Sequence, residues 1–420
     1  MDPLKRVEKE IKKCVKCGAC RAHCPVFGEL KREPAVARGK VALAKAVLEG
    51  GMELDDRTYL DMSKCLLCGS CVEKCPNDVP TDEIVIAARE ALARQRGLTT
   101  FHKAVGRVIR NRRIMNMGAA MAALLGPLFF RKVPSTSGLR LRFPLPFVGS
   151  KRHIPQIAKK PFMDRHPEVI AGLPGKPRIV YFVGCMTNFV YPEIGEAALA
   201  LFRHLGCTVI IPRDQQCCGL PGMSGGDLAT VRGLAERNLA ALEKYDADYI
   251  MTACATCGGA LHKFYPAVMG KKHPELLPRL QAVADKTIDA SVLLRKLGLR
   301  PADTGEGEDI RITYHDPCHL RTRNIIRQPR ELLQETPGVE LVEMEGADKC
   351  CGLGGTFNVY HYETSLGINT GKSAAIEKSG AETVVTGCPG CMMQLSDGLK
   401  QRGAKTRVMH TLEILARRLR

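Results

Sequence analysis

Apolar positions along the chain fall into two regimes. Up to about residue 95 they recur at helical spacing. Val41, Ala44, Val47 and Leu48 share one face of the stretch from Pro34 to Gly50, and Asp82 to Gln95 predicts a further helix started by Thr81 or Asp82. From residue 174 short β-rich runs alternate with helical ones. The run Ile179-Val180-Tyr181-Phe182-Val183 leads into Gly184-Cys185, and Ile310-Arg311-Ile312-Thr313-Tyr314 leads through His315-Asp316-Pro317 into Cys318. In each copy a helix and a strand then end at a Cys-Cys-Gly triplet, Cys217-Cys218-Gly219 or Cys350-Cys351-Gly352. Another helix and strand end at Cys254-Ala255-Thr256-Cys257 or Cys388-Pro389-Gly390-Cys391. The first three cysteines of the two copies are offset by 133 positions and the last two by 134, the mark of a tandem duplication.

The pattern predicts a multidomain α+β protein. A helical domain spans residues 1–93, a connector 94–173, and two tandem α/β repeats 174–300 and 301–420, each with a largely parallel sheet. Ligands of such sheets gather outside the carboxyl ends of the strands, where the cysteines fall.

Composition sharpens this. Nineteen cysteines in 420 residues are an odd set, and the amino terminus (Met1-Asp2-Pro3-Leu4-Lys5-Arg6) is charged and without an apolar stretch of the secretory kind. A chain of this length has apolar residues enough for its cores and does not need disulfide staples. Reduced thiolates holding metal in the cytoplasm are therefore expected. Cys14-x2-Cys17-x2-Cys20-x3-Cys24-Pro25 and its echo Cys65-x2-Cys68-x2-Cys71-x3-Cys75-Pro76 are the spacing of a two-cluster ferredoxin, in which the fourth cysteine of each run serves the other cluster. Cys14, Cys17, Cys20 and Cys75 are expected to hold one [4Fe–4S] cubane, and Cys65, Cys68, Cys71 and Cys24 the other. Gly18 and Gly69 would let backbone amides approach the sulfides. Structural zinc also uses Cys-x2-Cys pairs, but seldom three cysteines at this regular spacing followed by Cys-Pro. The Ala- and Leu-rich segment between the runs marks a helical ferredoxin domain rather than a compact hairpin one.

The repeats read Cys-x31-Cys-Cys-x35/36-Cys-x2-Cys, complete both times. Adjacent cysteines diverge too far to share one iron of a cube easily, yet can serve neighbouring irons of a more open cluster. Five thiolates also exceed the four a cubane needs; a conventional cluster or zinc on four of them is the alternative. Cys207 has Glu340 at the equivalent place and reads as a buried, inert thiol. His315 and His319 flank Cys318 and read as hydrogen-bonded turn residues rather than ligands. Gly219-Leu220-Pro221-Gly222 and Gly352-Leu353-Gly354-Gly355 read as tight turns, and the latter lacks the third glycine of a dinucleotide fingerprint, with Phe357 in its place.

On these motifs the carboxyl-terminal half resembles the cysteine-rich domains of heterodisulfide reductase and of glycolate oxidase, lactate-utilisation and anaerobic glycerol-3-phosphate dehydrogenase iron–sulfur subunits. The order of ferredoxin domain and two such repeats most resembles the iron–sulfur subunit of a FAD-dependent glycolate or D-lactate dehydrogenase. The resemblance implies one or two further [4Fe–4S] clusters of noncubane form, on Cys185, Cys217, Cys218, Cys254 and Cys257 and on Cys318, Cys350, Cys351, Cys388 and Cys391. It implies an oxidoreductase subunit that carries electrons from a FAD-binding partner to a quinone or another carrier. The glycerol-3-phosphate enzyme, and a reductase whose five-thiolate cluster attacks a disulfide, are the alternatives; the intact cysteine sets keep the second open.

Charge is local. From Arg94 to Lys160 there are 15 Lys or Arg and no acidic residue, against a net +18 for the chain. Without Trp, and with few aromatics, nucleic acid is not an expected partner. The basic stretch from Phe101 to Ile114 runs into an apolar one from Met117 to Phe130, too short to span a bilayer and interrupted at Gly126-Pro127. It has two readings: an interfacial helix giving peripheral contact at the inner face of the cytoplasmic membrane, or a helix packed on the ferredoxin domain.

Overall fold

The computed structural model describes residues 2–132, 138–141, 152–300 and 309–419. Pro134, Pro144, Pro146 and Gly149, part of the Pro- and Gly-rich end expected for the connector, and the junction at 301–308, lie outside the described residues.

The expected helices form. Ala37–Leu48 buries Val41 and Ala44 against Leu4, Ile11, Met62, Ile84 and Ala88, the core of the ferredoxin domain. Thr81–Arg96 follows an N-cap at Pro80, not at Thr81 or Asp82. Those two residues sit inside the first turn instead, where Asp82 and Glu83 complement the helix dipole.

Twelve strands are described. A small antiparallel sheet joins β1 (Phe130–Lys132), β2 (Gly138–Leu141) and β3 (Ile154–Pro155). The first repeat holds β4 (Val169–Ile170), β5 (Arg178–Tyr181), β6 (Thr208–Ile210), β7 (Tyr249–Thr252) and β8 (Thr287–Asp289), in the order β4-β6-β5-β7-β8. The second holds β9 (Ile310–His315), β10 (Val339–Leu341), β11 (Thr383–Thr386) and β12 (Arg407–His410), in the order β10-β9-β11-β12. Apart from the antiparallel edge strand β4, both sheets are parallel and follow one order, second-first-third-fourth. The duplication read from the cysteine offsets is thus a duplication of topology. In this order the chain turns opposite ways from the first strand, which opens a crevice at the strands' carboxyl ends.

The connector is not packed on the ferredoxin domain alone. Thr100–Arg110 buries Ile109 against Leu234 and Cys217 of the first repeat, and the His102 ring stacks on Tyr360 of the second at 5.1 Å. Arg112–Phe129 then runs through Gly126-Pro127 without a break. A proline this close to a helix end forfeits a single backbone donor.

The ferredoxin domain is clamped onto both repeats. Lys263, Lys271 and Lys272 reach Asp82, Glu83 and Glu90 at 2.5, 2.8 and 2.7 Å. Arg89, 5% exposed, donates to the carbonyls of Met62, Ser63 and Cys65 and, across the boundary, to that of Ser224, at 2.8–3.0 Å. Only a planar fork of five donors can satisfy so many acceptors in one buried place. Arg89→Met should therefore lower stability by at least about 3 kcal/mol, read as a fall in the urea midpoint at unchanged slope.

Candidate metal centres

The two ferredoxin loops are bent alike. Lys16 and Leu67, between the first two cysteines of each run, take φ of 61° and 53°, and Gly18 and Gly69 follow with 88° and 70°. Left-handed conformations at non-glycine residues are uncommon, so their recurrence at matched positions curls each loop about a centre. One cavity is lined by Cys24, Cys65, Cys68 and Cys71. A second is lined by Cys14, Cys17, Cys20 and Cys75, and Cys71 lines both. Each fourth cysteine crosses to the other run's cavity, so the donor sets suit two cubanes. Burial pushes the Cys24 thiol up to about 12, against the pull of the Phe27 amide. A thiol so placed becomes a thiolate only with a metal to compensate it.

In the repeats all ten cysteines come together in one seam. Cys185 contacts Cys217, Cys218 contacts Cys257, and Cys257 contacts Cys254. In the second set Cys318 contacts Cys350, Cys391 contacts Cys388, and the Cys351 and Cys391 sulfurs lie 3.4 Å apart. The sets meet where Cys254 contacts Cys388, and the second reaches the ferredoxin domain where Cys350 contacts Cys68. Cys218, Cys351 and Cys388 each draw on two neighbouring thiols and are held far below the ordinary thiol range. The Cys68 thiol beside Cys350, and Cys185 beside Cys217, are pushed well up by those contacts and by burial. Groups this tightly packed share protons rather than ionise together, a conflict that bound metal would relieve. Five contiguous thiols per set also exceed a tetrahedral zinc site.

Cys207 is 1% exposed in the apolar core of the first repeat, outside the seam. The two histidines part company. His319 donates from Nε2 to the Leu67 carbonyl at 3.1 Å, tying the second repeat to the loop of Cys65 and Cys68. His315 is no turn residue satisfied by hydrogen bonds: it ends β9, is fully buried, and among the described residues neither ring nitrogen has a partner of hydrogen-bond geometry. Strand pairing fixes its backbone, and the ring lies in the seam beside Cys351 and Cys391. Sequence reasoning also passed over Thr256, whose hydroxyl meets Cys388 Sγ at 3.5 Å, although its place between Cys254 and Cys257 was a signal.

Comparison with known proteins agrees with this layout. Residues 10–79 match the 4Fe-4S dicluster domain family, and 179–262 and 312–396 match the cysteine-rich domain family. The chain is 31% identical over 97% of its length, and 94% of the relative's, to the "Probable glycolate oxidase iron-sulfur subunit" of Bacillus subtilis. The chain belongs to the family of glycolate oxidase iron–sulfur subunits. Membership makes it an iron–sulfur electron-transfer component of an oxidoreductase. It is also 30% identical, over 97% of its length and 72% of the relative's, to one subunit of the CoM/CoB fumarate reductase of Methanothermobacter marburgensis. "Lactate utilization protein A" of Exiguobacterium sp. matches at 31% over 57% of this chain and 97% of its own. A hypothetical protein from Helicobacter pylori shares the fold, with TM-score 0.51 at 9% identity, over 99% of this chain and 76% of that one.

Gly184, at φ 74°, brings its backbone so close to the seam that a Cβ would lie 2.8 Å from Cys257 Sγ. Gly184→Ala should lower the iron and acid-labile sulfide bound per chain, while the spectra of the clusters of the ferredoxin domain stay unchanged.

Proposed function

We propose that the chain carries electrons from a FAD-binding partner, which oxidises glycolate or D-lactate, to a quinone or another carrier. The observation that supports this best is the unbroken run of cysteines from exposed Cys17 through the second repeat to Cys185 in the first. Cys14, Cys17, Cys20 and Cys75 would hold one cubane and Cys65, Cys68, Cys71 and Cys24 the other. Cys185, Cys217, Cys218, Cys254 and Cys257, and Cys318, Cys350, Cys351, Cys388 and Cys391, would hold a noncubane cluster each. Such clusters supply one-electron steps between a two-electron donor and its acceptor. The protein's part is to bury the run and fix its spacing: Arg89, His319 and Arg321, which donates to Ser70 Oγ at 2.7 Å, pin the loop of Cys65 to Cys71 against the repeats. Substrate oxidation falls to the partner, since the chain has no dinucleotide fingerprint.

In an anaerobic pull-down from the native host, a FAD protein should co-purify. One of glycolate, D-lactate, L-lactate or glycerol-3-phosphate should then bleach the brown absorbance. Bleaching by glycerol-3-phosphate alone would reassign the partner. With no flavoprotein present and a response to disulfides alone, the carrier reading fails. The disulfide-reductase reading would then stand, which the two complete five-cysteine sets favour.

A membrane surface is the proposed meeting place with the acceptor. No helix among the described residues is long and apolar enough to cross a bilayer. On Arg112–Phe129, however, Met117, Met121 and Leu124 stand 59%, 52% and 77% exposed at helical spacing, with exposed Arg113 one turn before Met117. That is the pattern of an interfacial helix. Leu124→Glu should abolish co-sedimentation with vesicles containing phosphatidylserine and leave iron content intact; unchanged sedimentation removes the membrane from the scheme.

A further inference from the structure

The two repeats share a topology and a cysteine pattern, but not the polar groups that face their thiols. His315 occupies the place of Phe182: both lie 3 residues before the first cysteine of their set, His315 as the last residue of β9 and Phe182 directly after β5, where its amide still donates to Met251 of β7. A ring nitrogen of His315 and the sulfurs of Cys351 and Cys391 all lie within 4.8 Å of one another. The ring is 0% exposed, and the nearby Ala347 carbonyl already accepts from both the Asp316 amide and Lys372 Nζ. Phe182, equally buried, offers its own repeat only hydrocarbon.

Two further positions differ in the same direction. Thr256 of the first repeat meets Cys388 of the second set, whereas Gly390, at the matching place between Cys388 and Cys391, has no side chain to return to Cys254. At equivalent register on the outer strands, Thr252 pairs with Asp289 and Thr386 with His410. His410 Nδ1 accepts from the Leu412 amide at 3.2 Å, so its Nε2 carries the hydrogen, toward the Gly387 and Ala253 carbonyls and with Cys388 nearby. Asp289 is acceptor only and turns to Ser291. Lys372, 4% exposed, adds a positive charge beside Cys351 and Cys350.

We propose that His315, supported by Thr256 and His410, is an N–H donor to the sulfurs of the metal centre in the second repeat, and that it makes this centre more easily reduced than its twin in the first. The inference rests on the reading that each repeat holds a cluster. Hydrogen bonds to cluster sulfurs and nearby positive charge both favour the reduced, more negative state. A neutral imidazole carries one N–H, so the role needs no change of protonation. Since the second set is the one that touches Cys68, an electron leaving the ferredoxin domain meets the better acceptor first. His315 is thus a positioning and tuning residue, not a ligand.

The test is an anaerobic redox titration followed by electron paramagnetic resonance on the full chain, comparing native protein with His315→Phe, His315→Gln and Phe182→His. Phe at 315 is the residue the sister repeat carries, so the fold has a template for it. His315→Phe should lower the potential of the second-repeat centre, with about a tenfold shift in its reduction equilibrium, or about 59 mV for one electron. His315→Gln, which keeps an N–H, should recover part of the shift, and Phe182→His should raise the first-repeat centre. Equal potentials in native protein and His315→Phe, at full iron content, overturn the inference while leaving the clusters in place. Iron and sulfide content unchanged by Cys318→Ser with Cys350→Ser would show that the second repeat holds no cluster, and both readings would fall.

Discussion

Everything in this structure answers to the cost of gathering thiols away from water. Ten cysteines of two repeats share one seam, with neighbouring sulfurs as close as 3.4 Å. Left as thiols they give up solvation for weak mutual hydrogen bonds; as bare thiolates they repel one another in a medium that screens little. Bound metal would relieve both, and the energy of binding it would then be part of the energy of folding. The sheets are built accordingly: both end their strands in the seam, and short loops leave the cysteines little freedom to retreat.

The same constraint explains how the ferredoxin domain is attached. A loop that holds a cluster must keep its amides turned inward and cannot also satisfy its outward carbonyls. Arg89 takes up those of Met62, Ser63 and Cys65, and His319 takes that of Leu67. The groups that stabilise the loop thus come partly from its own domain and partly from the second repeat. Docking and cluster-loop geometry are one event, and the pairs of Lys263, Lys271 and Lys272 with the largely buried carboxylates of Asp82, Glu83 and Glu90 fasten the same domain to the first repeat.

The sequence made the fold class readable because metal ligands tolerate so little drift. Cysteine offsets of 133 and 134 betray the duplication although the repeats share few other residues. The strands leading into Cys185 and Cys318 announced themselves by β-branched and aromatic runs. By contrast β8 and β12 are three or four residues long and carry Asp289 and His410 at their ends, too short and polar for a period to show. Edge strand β4 has two residues and owes its existence to its pairing with β6. Pro80 as N-cap, and the helix running on through Pro127, were missed for a related reason: local preference is weaker than the packing that overrides it. Which histidine would be satisfied was also out of reach, since His315 and His319 differ only in what the tertiary structure sets opposite them.

Duplication gives two equivalent sites, and a chain that needs directed electron flow must then break the equivalence. The ferredoxin domain does so by position: Cys68 touches Cys350, and Thr322 of the second repeat lies 2.7 Å from where Gly69 would carry a Cβ. No rotation relating the repeats can reproduce that contact in the first, whose seam is covered instead by Ile109 of the connector beside Cys217. Once the surroundings differ, the two sites face different demands: one adjoins the cysteines of the ferredoxin domain, and the other stands at the far end of the run of thiols. Substitutions that leave the thiols untouched but exchange a phenylalanine for a histidine, or a glycine for a threonine, adjust each site to its place without disturbing the ligands that both require. The unequal second layer around equal cysteines is therefore what an asymmetric use of a symmetric fold demands.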